Sequence, residues 1–208
     1  MRTAEIFCGT KSFSSVAAER GHSTLTLDFD PVHDADITAS VFDWEPTPGI
    51  IGVDILWLSP PCQAFSVAVI GKNWNHDYTP KHERAELGLR LVKRAIELID
   101  IIQPKYWFIE NPRCMLRKMP CMQPLPLRKT VTYCQYGDTR MKPTDIWTNF
   151  MDWMPKPPCK NGAPCHEAAP RGARTGTQGI KGAKDRGKIP PGLFYDLFDQ
   201  LDLWGIGL

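Results

Sequence analysis

Along most of the chain, short apolar runs alternate with stretches of helical spacing, the rhythm of a parallel α/β sheet with helices on both faces. Thr3 to Cys8 predicts a first strand that breaks at Gly9. Ser14 to Arg20 then has helical spacing, with a stop at Gly21. Ser23 to Leu27 predicts a second strand ending in Asp28-Phe-Asp-Pro, and Asp54 to Leu58 a buried one ending in Ser59-Pro-Pro-Cys. The longest helix is expected over about 81 to 103, its apolar face formed by Leu87, Leu91, Ala95, Leu98 and Ile102. Pro104 ends it, and Tyr106 to Ile109 predicts a strand leading into Glu110-Asn-Pro. Thr130 to Cys134 and Asp145 to Asn149 predict a hairpin-like pair around Gly137. Beyond Asn149 the periodicity fades. Residues 155 to 192 are rich in Pro, Gly, Lys and Arg, and a last helix is expected from Leu193 to Leu203. The expected division is a main α/β domain over 1–150, a short irregular basic segment over 151–192, and a terminal helix over 193–208 packing back on the core.

Composition and charge sharpen this picture at two points. At 208 residues, with no apolar run near the roughly 18 that a membrane span needs, one soluble α/β domain without membrane contact is expected. The start, Met1-Arg-Thr-Ala-Glu-Ile-Phe, enters a strand at once and has no secretory pattern, so a cytoplasmic location is expected. Seven scattered cysteines make no disulfide framework and read as reduced thiols. Between Lys156 and Lys188 eight basic residues face two acidic ones, a net +6 that leaves the rest of the chain at −4. That asymmetry points to a polyanion partner near the carboxyl end, against the plainer reading of a solvated basic loop.

In open parallel sheets, ligands bind beyond the carboxyl ends of the strands. Gly9, Asp28, Cys62 and Glu110 each follow a predicted strand, so the topology brings them to one crevice. The Phe7-Cys-Gly-Thr-Lys-Ser turn, with an acid nineteen residues after Gly9, suits a ribose-bearing cofactor. By itself it fits a nicotinamide nucleotide almost as well as an adenosyl one. Ser59-Pro-Pro-Cys-Gln is more specific. Two prolines stiffen the loop and hold a thiol at the sheet's active edge, as a nucleophile needs, whereas a cysteine that merely packs as a small hydrophobe does not.

These blocks together resemble the cytosine-5 DNA methyltransferase family, and most of all its small virus- and phage-encoded members. Phe7 to Ser14 is similar to the family's cofactor motif, Pro61-Cys62-Gln63 to its nucleophile motif, and Glu110-Asn111-Pro112 to its Glu-Asn-Val. Gln135 to Thr148 resembles the later arginine-bearing motif. The resemblance implies a Rossmann-like fold using S-adenosyl-L-methionine and acting on double-stranded DNA, in a host cytoplasm if the chain is viral. It implies that Cys62 adds to carbon 6 of a flipped-out cytosine, that Glu110 holds ring nitrogen 3 and the amine, and that Arg140 orients the base or lowers the thiol pKa. On the cofactor side it implies Asp28 on the ribose, Asp36 on the adenine amine and Phe7 stacked on the ring. Gly9, Thr10, Lys11 and Ser12 would lie near the methionine end, with Lys11 on its carboxylate, and Phe29, Ile37 and Pro60 would complete the wall.

The family's large recognition region and its terminal Asn-Ser-Val-Pro-like block have no clear counterpart here, although Ile189-Pro-Pro-Gly-Leu is a candidate for the latter. Target recognition is therefore expected to be brief, with Thr175-Gly-Thr-Gln-Gly facing DNA, or with a partner subunit or dimer mate supplying further contacts. Cys159, Cys165 and His166 offer three zinc ligands, one short of a tetrahedral set, so the sequence alone assigns no metal. Methylation of RNA or of a free nucleotide, and a non-catalytic cofactor-binding partner subunit, stand as the alternatives.

Overall fold

The computed structural model describes residues 1–66, 69–168, 176–177, 180 and 182–203. The first half is a regular alternation. Strand β1 (Arg2–Ile6) leads to helix α1 (Ser12–Glu19), β2 (Ser23–Asp28), a two-residue β3 (Ile37–Thr38) and β4 (Ile55–Leu58). A short α2 (Ile70–Asn73) and the long α3 (Glu83–Ile102) precede β5 (Tyr106–Pro112). Strands β6 (Leu127–Thr132) and β7 (Pro143–Thr148) pair antiparallel, and α4 (Ala183–Gly187) and α5 (Pro191–Leu203) follow. The seven strands form one sheet in the order β3-β2-β1-β4-β5-β7-β6. The first five run parallel, and β7 is inserted antiparallel between β5 and β6.

Strands buried on both faces read as continuous apolar runs, and β4 shows why. Ile55 and Trp57 enter one core cluster with Phe13, Phe194 and Phe198, while Leu56 and Leu58 enter the other with Val92, Leu98 and Ile102. Helices α1 and α5 thus cover one face and α3 the other. Phe13 stacks on Trp57 at 5.6 Å, and Phe194 meets the same indole edge-on at 4.8 Å. Among the described residues, no helix is long and apolar enough to cross a membrane.

Three expectations about elements need correction. The buried stripe of α3 is Ala85, Gly88, Val92, Ala95, Leu98, Ile99 and Ile102; Leu87 is exposed and Leu91 only half-buried. The helix turns its small residue inward because a Cβ on Gly88 would come within 2.4 Å of the Ala64 Cβ. Strand β6 begins at Leu127 and ends before Cys134, which lies in a 3-10 turn (Tyr133–Tyr136). Glu110 lies within β5, paired with Ile146, and does not follow the strand. The terminal helix does pack on the core, through Leu193, Phe194, Leu197, Phe198 and Leu201.

Candidate active site

The order of strands reverses between β1 and β4, and there the crevice opens. The turn after β1 is held in an unusual shape. Phe7, Gly9 and Lys11 all have positive φ, at 60°, 48° and 54°. For the two non-glycine residues that costs about 1–2 kcal/mol each, so the surroundings must enforce it. Two acids do so. Asp28, at the end of β2, accepts the Gly9 amide at 3.0 Å and the Asp30 amide at 3.1 Å. Glu5, buried within β1, accepts the Phe13 and Ser14 amides at 3.3 and 2.9 Å. It thereby caps α1, whose own N-cap residue provides no side-chain bond. Burial pushes the Glu5 carboxyl up to about 7, against the two amide bonds that favour its charge.

Across the crevice, the loop after β4 carries Cys62 and is fastened from three sides. Asn111 Nδ2 donates to the Pro60 carbonyl at 2.9 Å. Asn73 Nδ2 and Trp74 Nε1 both donate to the Ala64 carbonyl at 2.8 Å, and the Met115 amide donates to Phe65 at 3.2 Å. Beside this loop Glu110 is 6% exposed and accepts from the Tyr133 hydroxyl at 2.9 Å. Burial raises the Glu110 carboxyl above its ordinary range, opposed by Lys142, Tyr133 and Ser59. Burial likewise raises the Cys62 thiol; nearby Glu110 adds to this and Lys142 counters it. Lys142 is itself pushed down by burial, lies 4.7 Å from the Tyr133 ring centre, and donates to the Arg186 carbonyl at 2.9 Å. A thiol, an acid able to carry a proton and an ammonium group therefore share one enclosure.

A cleft of about 320 Å³ joins the two halves. Of the expected site residues, Phe7, Gly9, Thr10, Ser12, Asp28, Phe29, Pro60, Cys62 and Glu110 line it, together with Glu5 and Lys142. Phe29 stands at its rim, 70% exposed. Four expected residues lie elsewhere. Lys11 reaches the Asp34 carbonyl and carboxylate and is not among the cleft-lining residues. Asp36 accepts the amide and hydroxyl of Thr26, both at 2.8 Å, which fixes the β2–β3 connection. Ile37 pairs with Leu27 in β3. Arg140 is held bidentate by Asp138, at 2.6 and 2.8 Å, and lines a neighbouring cleft of about 470 Å³ beyond Thr10, Ser12 and Ile189.

The motif resemblance points to Arg140 and not to Lys142, two positions on, and gives no role to Glu5, Asn111 or Tyr133. Lys142 has a positive φ of 30° just before β7, a backbone turn that no local pattern announces and that parts it from Arg140. Ile189 lines both clefts and donates its amide to Ser12 Oγ at 3.3 Å, so the Ile189-Pro-Pro-Gly segment does return to the cofactor turn. Thr175, Gln178 and Gly179 of the expected DNA-facing loop lie outside the described residues.

Residues 2–120 match the family model of the C-5 cytosine-specific DNA methylases, a stretch that runs from β1 through Cys62 and Glu110. The chain belongs to that family. It is 31% identical over 217 residues to a protein of frog virus 3 (isolate Goorha) named as a probable DNA (cytosine-5)-methyltransferase, covering 96% of this chain and 99% of that one. The fold is similar to that of a prophage-encoded protein named as a putative DNA modification methyltransferase (E. coli), with a TM-score of 0.52 and 14% identity over 71% of this chain and 46% of that one. A methyltransferase of Entamoeba histolytica aligns with a TM-score of 0.47 and 15% identity, over 77% of this chain and 57% of that one. The methylase described here thus spans about half the length of these solved structures but nearly all of its viral relative.

Proposed function

We propose that this methylase transfers a methyl group from S-adenosyl-L-methionine to carbon 5 of cytosine in double-stranded DNA, through a covalent adduct on Cys62. The observation that carries this reading is the shared cleft. The turn shaped by Asp28 and Gly9 opens into the same space as the Cys62 thiol and the Glu110 carboxyl. The residues present fit the cofactor: a buried carboxylate at the end of β2 suits ribose hydroxyls, and the Phe7 ring in the cleft offers a face for adenine, with Phe29 at the rim. Bound there, S-adenosylmethionine supplies an electrophilic methyl group on a sulfonium.

The protein's own residues account for the remaining chemistry. A cytosine inside a duplex is out of reach of a thiol held between β4 and β5, so the base must swing out of the stack into the cleft. The Cys62 proton has to leave before attack, and Lys142 is the cation beside it that favours the thiolate. As the thiolate adds to carbon 6, electron density moves onto ring nitrogen 3. Glu110, raised by burial and steadied by Tyr133, carries the proton that neutralises it. Carbon 5 then accepts the methyl group; its proton leaves to solvent as the carbon 6–sulfur bond breaks and releases the thiolate, and ring nitrogen 3 returns its proton to Glu110, which restores the aromatic ring.

The basic stretch supports DNA as the substrate. Arg140 and Lys142 donate to the Asp185 and Arg186 carbonyls, both at 2.9 Å, which holds α4 of that stretch against the cleft. Phosphate contacts from there make binding fall steeply with salt. Incubation with tritiated cofactor and duplex DNA, transfer RNA or deoxycytidine monophosphate, followed by nucleoside analysis, tests the assignment. Label in 5-methyldeoxycytidine from the duplex alone is expected; label in RNA or the free nucleotide would reassign the substrate.

A further inference from the structure

The sequence presents Cys159, Cys165 and His166 as three ligands in search of a fourth. The fold supplies it. Cys134, in the 3-10 turn after β6, brings its thiol to the other three, and all four ligand atoms lie within 4.8 Å of one another. The individual separations are 3.1 Å for Cys134 to Cys159 and 3.7 Å for Cys134 to Cys165. His166 Nδ1 is 3.6 Å from each of the Cys159 and Cys165 sulfurs. A tetrahedral zinc ion with bonds of about 2.3 Å to sulfur and 2.0 Å to nitrogen places its ligands about 3.8 Å apart for two sulfurs and about 3.5 Å for sulfur and nitrogen. Of the six separations among the four ligands, three fall within a few tenths of an ångström of those values, Cys134 to Cys159 is shorter, and the remaining two are at most 4.8 Å.

We propose that Cys134, Cys159, Cys165 and His166 form a structural zinc site. Three thiolates and an imidazole are a set that selects zinc over harder cations, and four protein ligands leave no open position for catalysis. Loading releases three thiol protons and leaves the site at a net charge of −1. Gln135 Nε2 donates to the Cys165 sulfur at 3.6 Å, a contact that suits a metal-bound thiolate. Binding through Nδ1 keeps the imidazole proton on Nε2, at the expense of the long Gly162 amide contact there (3.4 Å).

The position gives the metal a purpose. Cys134 directly follows Tyr133, the hydrogen-bond donor to Glu110. His166 directly precedes Glu167, whose amide donates to Thr139 at 2.8 Å beside Arg140. One ion therefore clips the irregular basic stretch to the wall of the active site. In this short chain it supplies the rigidity that a packed core would give a larger recognition region.

A disulfide between Cys134 and Cys159 is the rival explanation, and it leaves Cys165 and His166 without a role. Metal analysis of the full chain, purified under reducing conditions without chelator, separates the two. One zinc per chain is expected. Exchange for cobalt should give thiolate charge-transfer bands and the intense visible bands of a tetrahedral site. Cys134→Ser and Cys165→Ser should each reduce zinc to background, while Cys121→Ser keeps it. Absence of zinc from the wild type, a Cys134–Cys159 disulfide by mass, an octahedral cobalt spectrum, or full retention by Cys134→Ser would each overturn the proposal. If the serine variants do not fold, the cobalt spectrum of the wild-type chain decides.

Discussion

Gly88→Ala changes one hydrogen to a methyl group on α3, yet it should disturb the nucleophile on another element. The new Cβ would stand 2.4 Å from the Ala64 Cβ, where about 3.5–4.0 Å is an ordinary carbon–carbon contact. More than an ångström must therefore open between α3 and the loop that carries Cys62. Neither side gives easily, because the Ala64 carbonyl is held by Asn73 and Trp74 and α3 is a 20-residue helix packed on the sheet. Overpacking of this kind costs about 1–3 kcal/mol, and the better helix propensity of alanine returns about 1 kcal/mol. The expected net loss is up to about 2 kcal/mol in urea denaturation. Cys62 lies two residues from the collision, and a displacement of about 1 Å at a reacting group lowers the rate by on the order of a hundredfold. Single-turnover transfer of tritiated methyl groups reads that loss directly. The other atoms near the new Cβ are 3.8 Å away, so Ala64→Gly in the same chain should restore much of both losses as a coupling between the two positions. A Gly88→Ala protein of unchanged stability and rate, or a double variant no better than the single one, would refute this reasoning.

Three further outcomes follow from buried charges. Asp145 is fully buried, with Arg117 at 2.6 and 2.8 Å and Thr130 at 2.7 Å, so Arg117→Ala should cost about 3–5 kcal/mol in denaturant unfolding and Arg117→Ala with Asp145→Asn distinctly less. The Glu5 carboxyl is raised from 4.5 to about 7 in the folded chain, so its contribution is complete below the unfolded value and is lost as pH rises through about 7. The stability of the wild type relative to Glu5→Gln should fall by about 2 kcal/mol between about pH 5 and about pH 8, and parallel curves would contradict it. Lys142 opposes the upward shift of Cys62, so Lys142→Met should move the acid limb of the single-turnover rate to higher pH and slow the neutral rate by on the order of tenfold, about 1.4 kcal/mol. An unmoved limb would remove Lys142 from thiolate stabilisation.

What the sequence revealed and what it hid divide along physical lines. Ile55 to Leu58 is apolar throughout because both sheet faces are covered, and that run alone identifies a central strand. That Cys62 and Asp28 meet in one cleft was legible because the rule that ligands gather at strand ends needs only topology. Side chains that answer to three-dimensional neighbours were not. Leu87 looked like a core position and Gly88 did not, since apolar spacing does not reveal that a loop must approach the helix at that point. Lys11 and Asp36 carry the right chemistry for a cofactor, and their contacts with Asp34 and Thr26 are ones that no local pattern announces. Arg140 has the motif's charge, yet Asp138 two positions earlier pairs with it and leaves Lys142 in the cleft. Cys134 stands 25 residues before Cys159, beyond the reach of any local ligand spacing, and only the β6–β7 hairpin returns it.

The account rests on Cys62 as a nucleophile toward cytosine. Intact-protein mass after incubation with S-adenosylmethionine and a duplex containing 5-fluorocytosine tests that claim most directly, because fluorine blocks loss of the carbon-5 substituent and holds the adduct. A stable protein–DNA adduct in the wild type that disappears in Cys62→Ser is the predicted result. An adduct that persists in Cys62→Ser, or methyl transfer to ordinary duplex DNA with no trapping on the fluorinated one, would contradict it.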